Sequence, residues 1–173
     1  MKILLSMAMS LNGFIASKSR DEDFLSHENW LSFVDLVNKH NNFIVGRKTY
    51  DTVKAWGTEY GFHKFKNADR VILSKNTNQE LEKGYILANS GKEAIEILKN
   101  KGHKTIIVTG GAEINSLFMK ANLLDEIILN IEPVLLGEGI PLFADNNFIK
   151  RLSLIKIRKL KDDILQLHYK VKK

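Results

Sequence analysis

Cysteine is absent from the 173-residue chain. Without it there can be no disulfide, thiolate metal site or cysteine nucleophile, and the lack fits a reducing cytoplasm. The five histidines are scattered without metal-ligand spacing, and no serine stands in a G-x-S-x-G elbow. The sequence therefore predicts neither a metal centre nor a hydrolase built on such a serine.

Long apolar runs are also missing. The first apolar segment, residues 3–9, is too short to cross a bilayer and lacks the small-residue cleavage site of a signal peptide. We find no internal repeat, low-complexity tract or linker. With 44% apolar and 27% charged residues, the chain is expected to form one cytoplasmic domain over residues 1–173, with no membrane partner.

The formal net charge is +6, which can attract nucleic acid or anionic small molecules. Lysines are interleaved with acids, and dense basic clusters occur only at 150–161 and 170–173. Solvated strand faces account for these clusters, and no nucleic-acid motif is present. We expect a small-molecule substrate and no nucleic acid; a nucleic-acid-binding module, which would bind oligonucleotides with strong salt dependence, is kept as an alternative.

Hydrophobic periodicity predicts strands that alternate with helices, followed by a hairpin. The predicted strands are Lys2–Ser10, Phe14–Ala16, 43–45, 70–73, 85–87, 105–109 and 126–131, with 134–136 extended. Helices are predicted from the N-cap Ser26 to about Lys39, over 47–53, from the capping box at Ser90 to Gly102, and through Ile114, Leu117, Phe118 and Ala121. Residues 151–160 and 164–171 form the hairpin, and 17–23 and 55–67 are loops. This order predicts an α/β fold with three layers, α/β/α, a mostly parallel central sheet and an antiparallel C-terminal hairpin.

Three predicted strand ends carry the equipment for phosphate binding. They are residues 45–49, 73–75 and 109–112; two carry cations and each carries a hydroxyl. Ligands of open α/β sheets bind at the carboxyl ends of strands. At Gly110-Gly111 a strand leads into a helix, where a ligand can come close to the backbone and helical N–H groups can bind an anion. None of the three is a G-x-G-x-x-G or Walker loop.

These segments resemble the dihydrofolate reductase superfamily. Residues 46–53 resemble its G-R-x-T-[WY]-x-x-[IV] segment, 71–74 its second cofactor strand and 107–112 its Gly-Gly segment. Residues 9–16 and 123–143 resemble the pyrimidine reductase domain of riboflavin biosynthesis and its stand-alone relatives. The resemblance covers essentially the whole chain and implies an oxidoreductase that binds NADPH.

By matching motif positions, the resemblance assigns cofactor contacts to several segments. Ala8 and Ile15 would contact the nicotinamide through their backbones. The remaining assigned positions are Gly46, Arg47, Lys48, Thr49, Leu73, Ser74, Lys75, Thr109, Gly110, Gly111, Ala112, Glu113 and Ile114. The family often has a basic residue where Glu113 stands, which leaves more of the phosphate binding to Arg47, Lys48 and Lys75.

The proton donor is left open between two carboxylates near the first helix and the alternative that no carboxylate of this helix serves. Reduction of a C=N bond by hydride needs a proton on nitrogen. Alignment from the first strand puts Glu28 at the family's acid position, alignment back from Gly46 puts Trp30 there, and Asp23 is a second candidate. Asn12 stands where the riboflavin branch commonly has Asp, so it can bind an amide edge but cannot act as an acid. The family's Asp-Asp-Pro-Arg-Leu-like run is absent after residue 50.

Substrate contacts are expected from Asn12, Phe33, Val34, Thr52 and Asn130. The resemblance then implies hydride transfer to a pterin-like or pyrimidine-like ring, either dihydrofolate or a riboflavin-pathway aminopyrimidine. The alternative is a protein of the same fold that binds NADPH without catalysis. We expect a homodimer, as in riboflavin-type relatives, and hypothesise that loop 17–23 closes over the cofactor.

Overall fold

The computed structural model describes residues 1–57, 60–76, 78, 80–144 and 147–173. Strands and helices follow each other along the chain in the predicted order. Its elements are β1 (Lys2–Ser10), β2 (Phe14–Ala16), α1 (His27–His40), β3 (Asn42–Gly46), α2 (Arg47–Ala55), a 3-10 turn (Phe62–Lys64), β4 (Asp69–Leu73), β5 (Tyr85–Ala88), α3 (Gly91–Asn100), β6 (Thr105–Val108), α4 (Ala112–Lys120), β7 (Glu126–Glu132), β8 (Ile140–Pro141), β9 (Leu152–Lys159) and β10 (Leu165–Val171).

An eight-stranded sheet runs through the molecule in the order β5-β4-β3-β6-β1-β7-β10-β9. From β5 to β7 neighbouring strands are parallel, whereas β10 pairs with both β7 and β9 in the antiparallel sense. The predicted fold class is therefore confirmed. Because parallel strands are joined by crossover helices, their carboxyl ends come together at one edge of the sheet.

Helices cover both faces of the sheet and bury two hydrophobic clusters. On one face α3 and α4 contribute Leu98 and Phe118, both fully buried, to a cluster with β1 and β6. On the other face α1 and α2 contribute Val37 and Val53 to a cluster around Phe43. Strands buried on both faces read as continuous apolar runs, which is why the sequence identified them.

Four details depart from the sequence-based expectations. Residues 134–136 are not part of a described strand. The Val134 N–H donates to the Glu132 carbonyl, and the Val134 carbonyl accepts the Leu11 N–H. Two-residue β8 pairs with β2 and is too short for a periodicity signal. The segment 55–67 contains the 3-10 turn, because Phe62 is drawn into the core. Strand β6 ends one residue before Thr109.

The two predicted helix caps differ in outcome. Ser90 Oγ accepts the Glu93 N–H at 3.1 Å, as the capping box predicts. Ser26 occupies the N-cap position of α1, but its side chain makes no capping hydrogen bond. In the described part of the chain, no helix has the length and hydropathy needed to cross a membrane.

Candidate active site

The carboxyl ends of β1, β3, β4 and β6 border two adjoining spaces. The inner pocket, about 580 Å³ in volume, lies between β1 and the start of α1. The outer groove follows the ends of β3 and β4 to the start of α4. Ile15, Glu22, Thr49 and Gly111 line both, so one elongated ligand can extend from the groove into the pocket.

Most residues assigned to the cofactor line the outer groove. These are Ile15, Gly46, Arg47, Lys48, Thr49, Leu73, Ser74, Lys75, Gly111, Ala112, Glu113 and Ile114. Ala8 and Thr109 line the inner pocket instead. Gly110 is not among the described residues that line either space, but its carbonyl accepts the Gly46 N–H at 2.8 Å and so ties β3 to the Gly-Gly segment.

Two glycines keep the groove open where β3 and β6 end. A Cβ at Gly46 would lie 2.7 Å from Ile114 Cγ1. Gly110 has φ of +86°, and a Cβ there would lie 2.9 Å from Met7 Sδ. Because a side chain at either position would collide with the groove wall, the backbone itself forms the cradle. The peptide bond between Gly110 and Gly111 is cis.

Two helices begin at this cradle. Helix α2 starts after Gly46 and α4 after Gly111, and neither N-cap residue offers a side chain to the free N–H groups. Uncapped helix N-termini favour anions. With glycine backbone between them and cations nearby, the groove fits the pyrophosphate of a dinucleotide.

The cations of the groove are partly neutralised by carboxylates. Lys48 Nζ lies 2.8 Å from Glu113 Oε1, and Arg47 is paired with Asp51 one turn along α2. The hydrogen bond from Lys48 lowers the pKa of the Glu113 carboxyl, and Arg20 and Lys75 act in the same direction. Glu113 therefore lacks the positive charge that would bind a phosphate, and its carboxylate also competes with a ligand phosphate for Lys48.

Aromatic side chains form one wall of the inner pocket. Trp30, Phe33, Trp56, Tyr60 and Phe62 all line it. The Trp30 ring centroid lies 5.6 Å from that of Tyr60 and 6.1 Å from that of Phe33. An apolar slot of this kind suits a flat ring, whose orientation is then set by a few polar groups.

The polar groups come from the start of α1 and from β7. Ser26, Asn29 and Asn130 line the pocket. The buried Glu132 carboxylate, which is 4% exposed, accepts the Ser26 N–H at 2.7 Å and also the Asn29 side-chain N–H. Asn130 Oδ1 accepts from Gln166 Nε2 at 3.0 Å. Strand β7 thus holds the first turn of α1 in place.

Among the described residues, Glu22 is the titratable residue that lines both the pocket and the groove. It lies in the loop between β2 and α1 and keeps part of its surface exposed. Burial raises the pKa of Glu22 to about 7, and the neighbouring Asp21 charge adds to the effect. A carboxyl group with such a pKa can be protonated near neutral pH and can donate that proton.

The structure does not bring all predicted catalytic and substrate residues to the pocket. Asp23, Phe33 and Asn130 line it, and Thr52 lines the groove, where its hydroxyl bonds back to the Lys48 carbonyl. Glu28 and Val34 are not among the described residues that line either space. Glu28 lies on the first turn of α1, and Val34 packs against the cluster around Phe43.

Asn12 also lies outside the lining of both spaces. Its amide oxygen accepts from Ser10 Oγ at 2.8 Å and from the Leu136 N–H at 3.2 Å, and its nitrogen donates to the Leu136 carbonyl at 2.6 Å. The side chain therefore joins the turn after β1 to the segment before β8. Both ends of the amide are thus engaged by the protein, and the expected substrate contact of Asn12 stays a prediction.

Sequence reasoning missed Glu22, Ser26 and Asn29 as pocket residues. Glu22 sits in a polar segment whose composition predicts a solvated loop. Ser26 has the sequence signature of a helix N-cap. Asn29 lies between Glu28 and Trp30, the two positions that the alignments indicate for the acid. A buried Asn in the first turn is unusual for a solvated helix start, but its burial depends on Glu132, 103 positions away.

Comparisons with known proteins agree with this geometry. The family model of the RibD C-terminal domain matches residues 1–166. The uncharacterized protein YyaP of Bacillus subtilis (strain 168) is 30% identical over 180 residues, which cover 97% of this chain and 94% of YyaP. A protein of Shewanella sp. PV-4, provisionally assigned to riboflavin biosynthesis, matches with a TM-score of 0.83 at 28% identity over 100% of both chains.

Dihydrofolate reductase from Enterococcus faecalis, solved in complex with NADP(H), matches with a TM-score of 0.67 over 99% of this chain and 97% of that one. At 15% identity, this match shows a shared fold alone. The family model covers nearly the whole chain, and the chain shares the fold of a dihydrofolate reductase. The protein belongs to the RibD C-terminal domain family.

Proposed function

We propose that the protein is an NADPH-dependent reductase that transfers hydride to a C=N or C=O carbon of a pterin-like or pyrimidine-like substrate. The observation that carries the proposal is the junction at Ile15, Glu22, Thr49 and Gly111, which line both the outer groove and the inner pocket. A dinucleotide in the groove can place its reactive end beside a ring in the pocket.

The choice of NADPH rests on the chemistry of the groove. The glycine cradle and two uncapped helix N-termini suit a pyrophosphate. Arg47, Lys48, Ser74 and Lys75 lie around the ends of β3 and β4, where cations and a hydroxyl can bind a further phosphate on the adenosine ribose. A cofactor without that phosphate would leave these groups unused.

Glu22 is proposed to complete the reaction. Bound NADPH would supply the hydride to the carbon of the C=N or C=O bond. As the π pair of that bond becomes an N–H or O–H bond, the Glu22 carboxyl would give its proton to the nitrogen or oxygen and would then be reprotonated from solvent. The aromatic wall of the pocket would hold the ring and exclude water from it.

The test is NADPH oxidation by the purified protein. Dihydrofolate and 5-amino-6-(5-phosphoribosylamino)uracil are offered separately, and loss of NADPH absorbance is followed, with NADH as the comparison. We expect one of the two to be reduced, with NADPH preferred. Tight NADPH binding without turnover of either would overturn the reductase proposal in favour of non-catalytic NADPH binding. Failure to bind NADPH would overturn the cofactor assignment as well.

We also propose a homodimer formed through the hairpin. Leu154, Ile157 and Leu165 are 52%, 55% and 43% exposed. The register, with its irregularity next to His168, places them on one face of the sheet. The same face also carries Val171, which is buried in the hydrophobic cluster to which α3 and α4 contribute. Because a second copy offers the same apolar face, a two-fold contact would cover both copies and protect the edge strand β9.

The double change Leu154→Glu and Ile157→Glu is expected to give a monomer, because it would bury charges in a contact that excludes water. Size-exclusion chromatography with light scattering gives the mass of wild type and variant. Leu11→Glu, at an exposed turn outside the hairpin, is the matched control and should remain dimeric. A wild-type protein that is monomeric at micromolar concentration would contradict the proposal.

A further inference from the structure

Two buried oxygen atoms of the inner pocket are without a protein partner. Ser26 Oγ and Asn29 Oδ1 accept or donate no hydrogen bond among the described residues. Both residues line the pocket, and Asn29 is only 6% exposed. Buried polar atoms are nearly always paired, because leaving one unpaired costs free energy. A pair of them at one end of a pocket points to a ligand that completes them.

Glu132 sets the orientation of the Asn29 amide and holds the backbone of Ser26. Its Oε1 accepts both the Ser26 backbone N–H and an N–H of the Asn29 amide. An ionised carboxylate can only accept hydrogen bonds, so the Asn29 nitrogen must point towards it. The amide orientation follows from this chemistry, and the oxygen is the atom left over for a ligand.

Both groups left for a ligand are uncharged. The amide oxygen can only accept a hydrogen bond, and the serine hydroxyl can accept one as well. A carboxylate at this place would favour a protonated, cationic ring, whereas an amide oxygen has no such preference. The Glu132 carboxyl is already hydrogen-bonded to the Ser26 backbone N–H and the Asn29 amide. The complementary ligand edge therefore carries N–H groups on a neutral ring.

We propose that Ser26 and Asn29 form an acceptor edge that recognises N–H groups of an uncharged, lactam-like heterocycle, with Glu132 as the residue that positions them. The inference rests on the proposed function for the view that the bound ring is the hydride acceptor. Trp30 and Phe33 contact the faces of the ring, and the acceptor edge sets its rotation in the pocket. It thereby decides which ring atom comes to the junction near Glu22.

The probes are 6-aminouracil, which has N–H groups on its ring edge, and its 1,3-dimethyl derivative, which lacks the two ring N–H groups. Trp30 and Trp56 are the two tryptophans of the chain and both line the pocket. Quenching of tryptophan fluorescence therefore reports binding. We expect 6-aminouracil to bind about tenfold more tightly than the dimethyl compound, since the latter keeps only the exocyclic amino group as a donor and leaves at least one buried acceptor unpaired.

Ser26→Ala and Asn29→Ala separate recognition from structure. Each is expected to weaken 6-aminouracil binding about threefold to tenfold, the range for one hydrogen bond, and to leave binding of the dimethyl compound nearly unchanged. Ser26→Ala keeps the backbone N–H that Glu132 accepts, so its melting temperature should equal or exceed that of wild type. Asn38→Ala, at an exposed position of the same helix, is the matched control for Asn29→Ala.

Equal affinity for the two probes, or unchanged 6-aminouracil binding in Ser26→Ala, would overturn the acceptor edge. Glu132→Gln tests the positioning role of Glu132. For a substrate that the protein reduces, KM should rise by a larger factor than kcat falls. A loss of folded protein would instead lower kcat and leave KM unchanged. NADPH titration is made on every variant. If NADPH binds and is oxidised but the probes are not distinguished, the acceptor edge alone fails; if NADPH does not bind, the proposed function fails independently.

Discussion

Glu22→Gln is expected to lower kcat about a hundredfold to ten-thousandfold, the usual contribution of a positioned general acid, without changing the affinity for NADPH. The glutamine keeps the size of the side chain but has no proton of suitable acidity. The measurement is kcat and KM for whichever ring substrate is turned over. Glu28→Gln is the matched control, because Glu28 lies on the first turn of α1 and is not among the described residues that line either space. Equal loss in the two variants would contradict the assignment.

The pH dependence gives a second signature of the same group. With the pKa of Glu22 raised to about 7, the proton-donating form is lost as pH rises through 7, and kcat should fall there in wild type. Charged groups bordering the two spaces are Asp23, Arg20, Arg47, Lys48, Lys75 and Glu113. Because these groups face the same spaces, the profile of Glu22→Gln shows which part of the fall in kcat belongs to Glu22. That variant should lack the fall near pH 7.

Stability should depend on pH in the same window. The folded state holds the Glu22 proton more tightly than the unfolded chain does, because the folded pKa lies above the ordinary value of 4.5. This contribution is fully present below 4.5 and is lost as pH rises through about 7. Glu22→Gln should therefore raise the melting temperature relative to wild type at pH 8 but not at pH 4. No difference between the two pH values would show that the carboxyl is not buried as the structure has it.

Two changes in the groove are expected to act in opposite directions on NADPH. Lys48→Ala should raise the Kd for NADPH about tenfold to a hundredfold, because a charge-assisted contact to a phosphate contributes about 1.5–3 kcal/mol. Glu113→Gln should lower that Kd several-fold, since it frees Lys48 from its carboxylate partner at 2.8 Å. Titration of NADPH fluorescence at low salt measures both effects, and added salt should reduce them.

Glu82→Gln provides the charge-matched control. Glu82 pairs with Lys54 of α2 at 3.1 Å and is not among the described residues that line the groove. Its replacement by glutamine therefore removes the same negative charge as Glu113→Gln does, but outside the groove. Its NADPH affinity should stay near that of wild type. If Glu113→Gln and Glu82→Gln tighten binding equally, the effect comes from net charge alone and the competition for Lys48 is refuted.

Local chemistry made much of the fold predictable. The apolar run of β1 and the β-branched strand β6 are buried on both faces, so their position did not depend on a distant partner. Gly46 ends β3 and directly precedes α2, and Gly111 follows β6 and directly precedes α4, and this local order of residues placed the groove. The alternation of Leu165 to Val171 predicted the hairpin. It could not predict the register irregularity that brings Leu154 and Ile157 to one face.

The contents of the pocket required the tertiary structure. Asn29 is oriented by Glu132 across 103 residues, and Lys48 meets Glu113 across 65. Neither pair leaves a periodic signal, because each partner is ordinary in its own segment. Glu22 lies in an irregular loop, so its burial and its shifted pKa depend on how that loop packs against the sheet edge. The family, the sheet and the cradle of the groove were predictable from the sequence, since those depend on local periodicity and backbone chemistry. Which carboxyl and which oxygens line the pocket required the folded chain, since that depends on contacts between segments far apart in sequence.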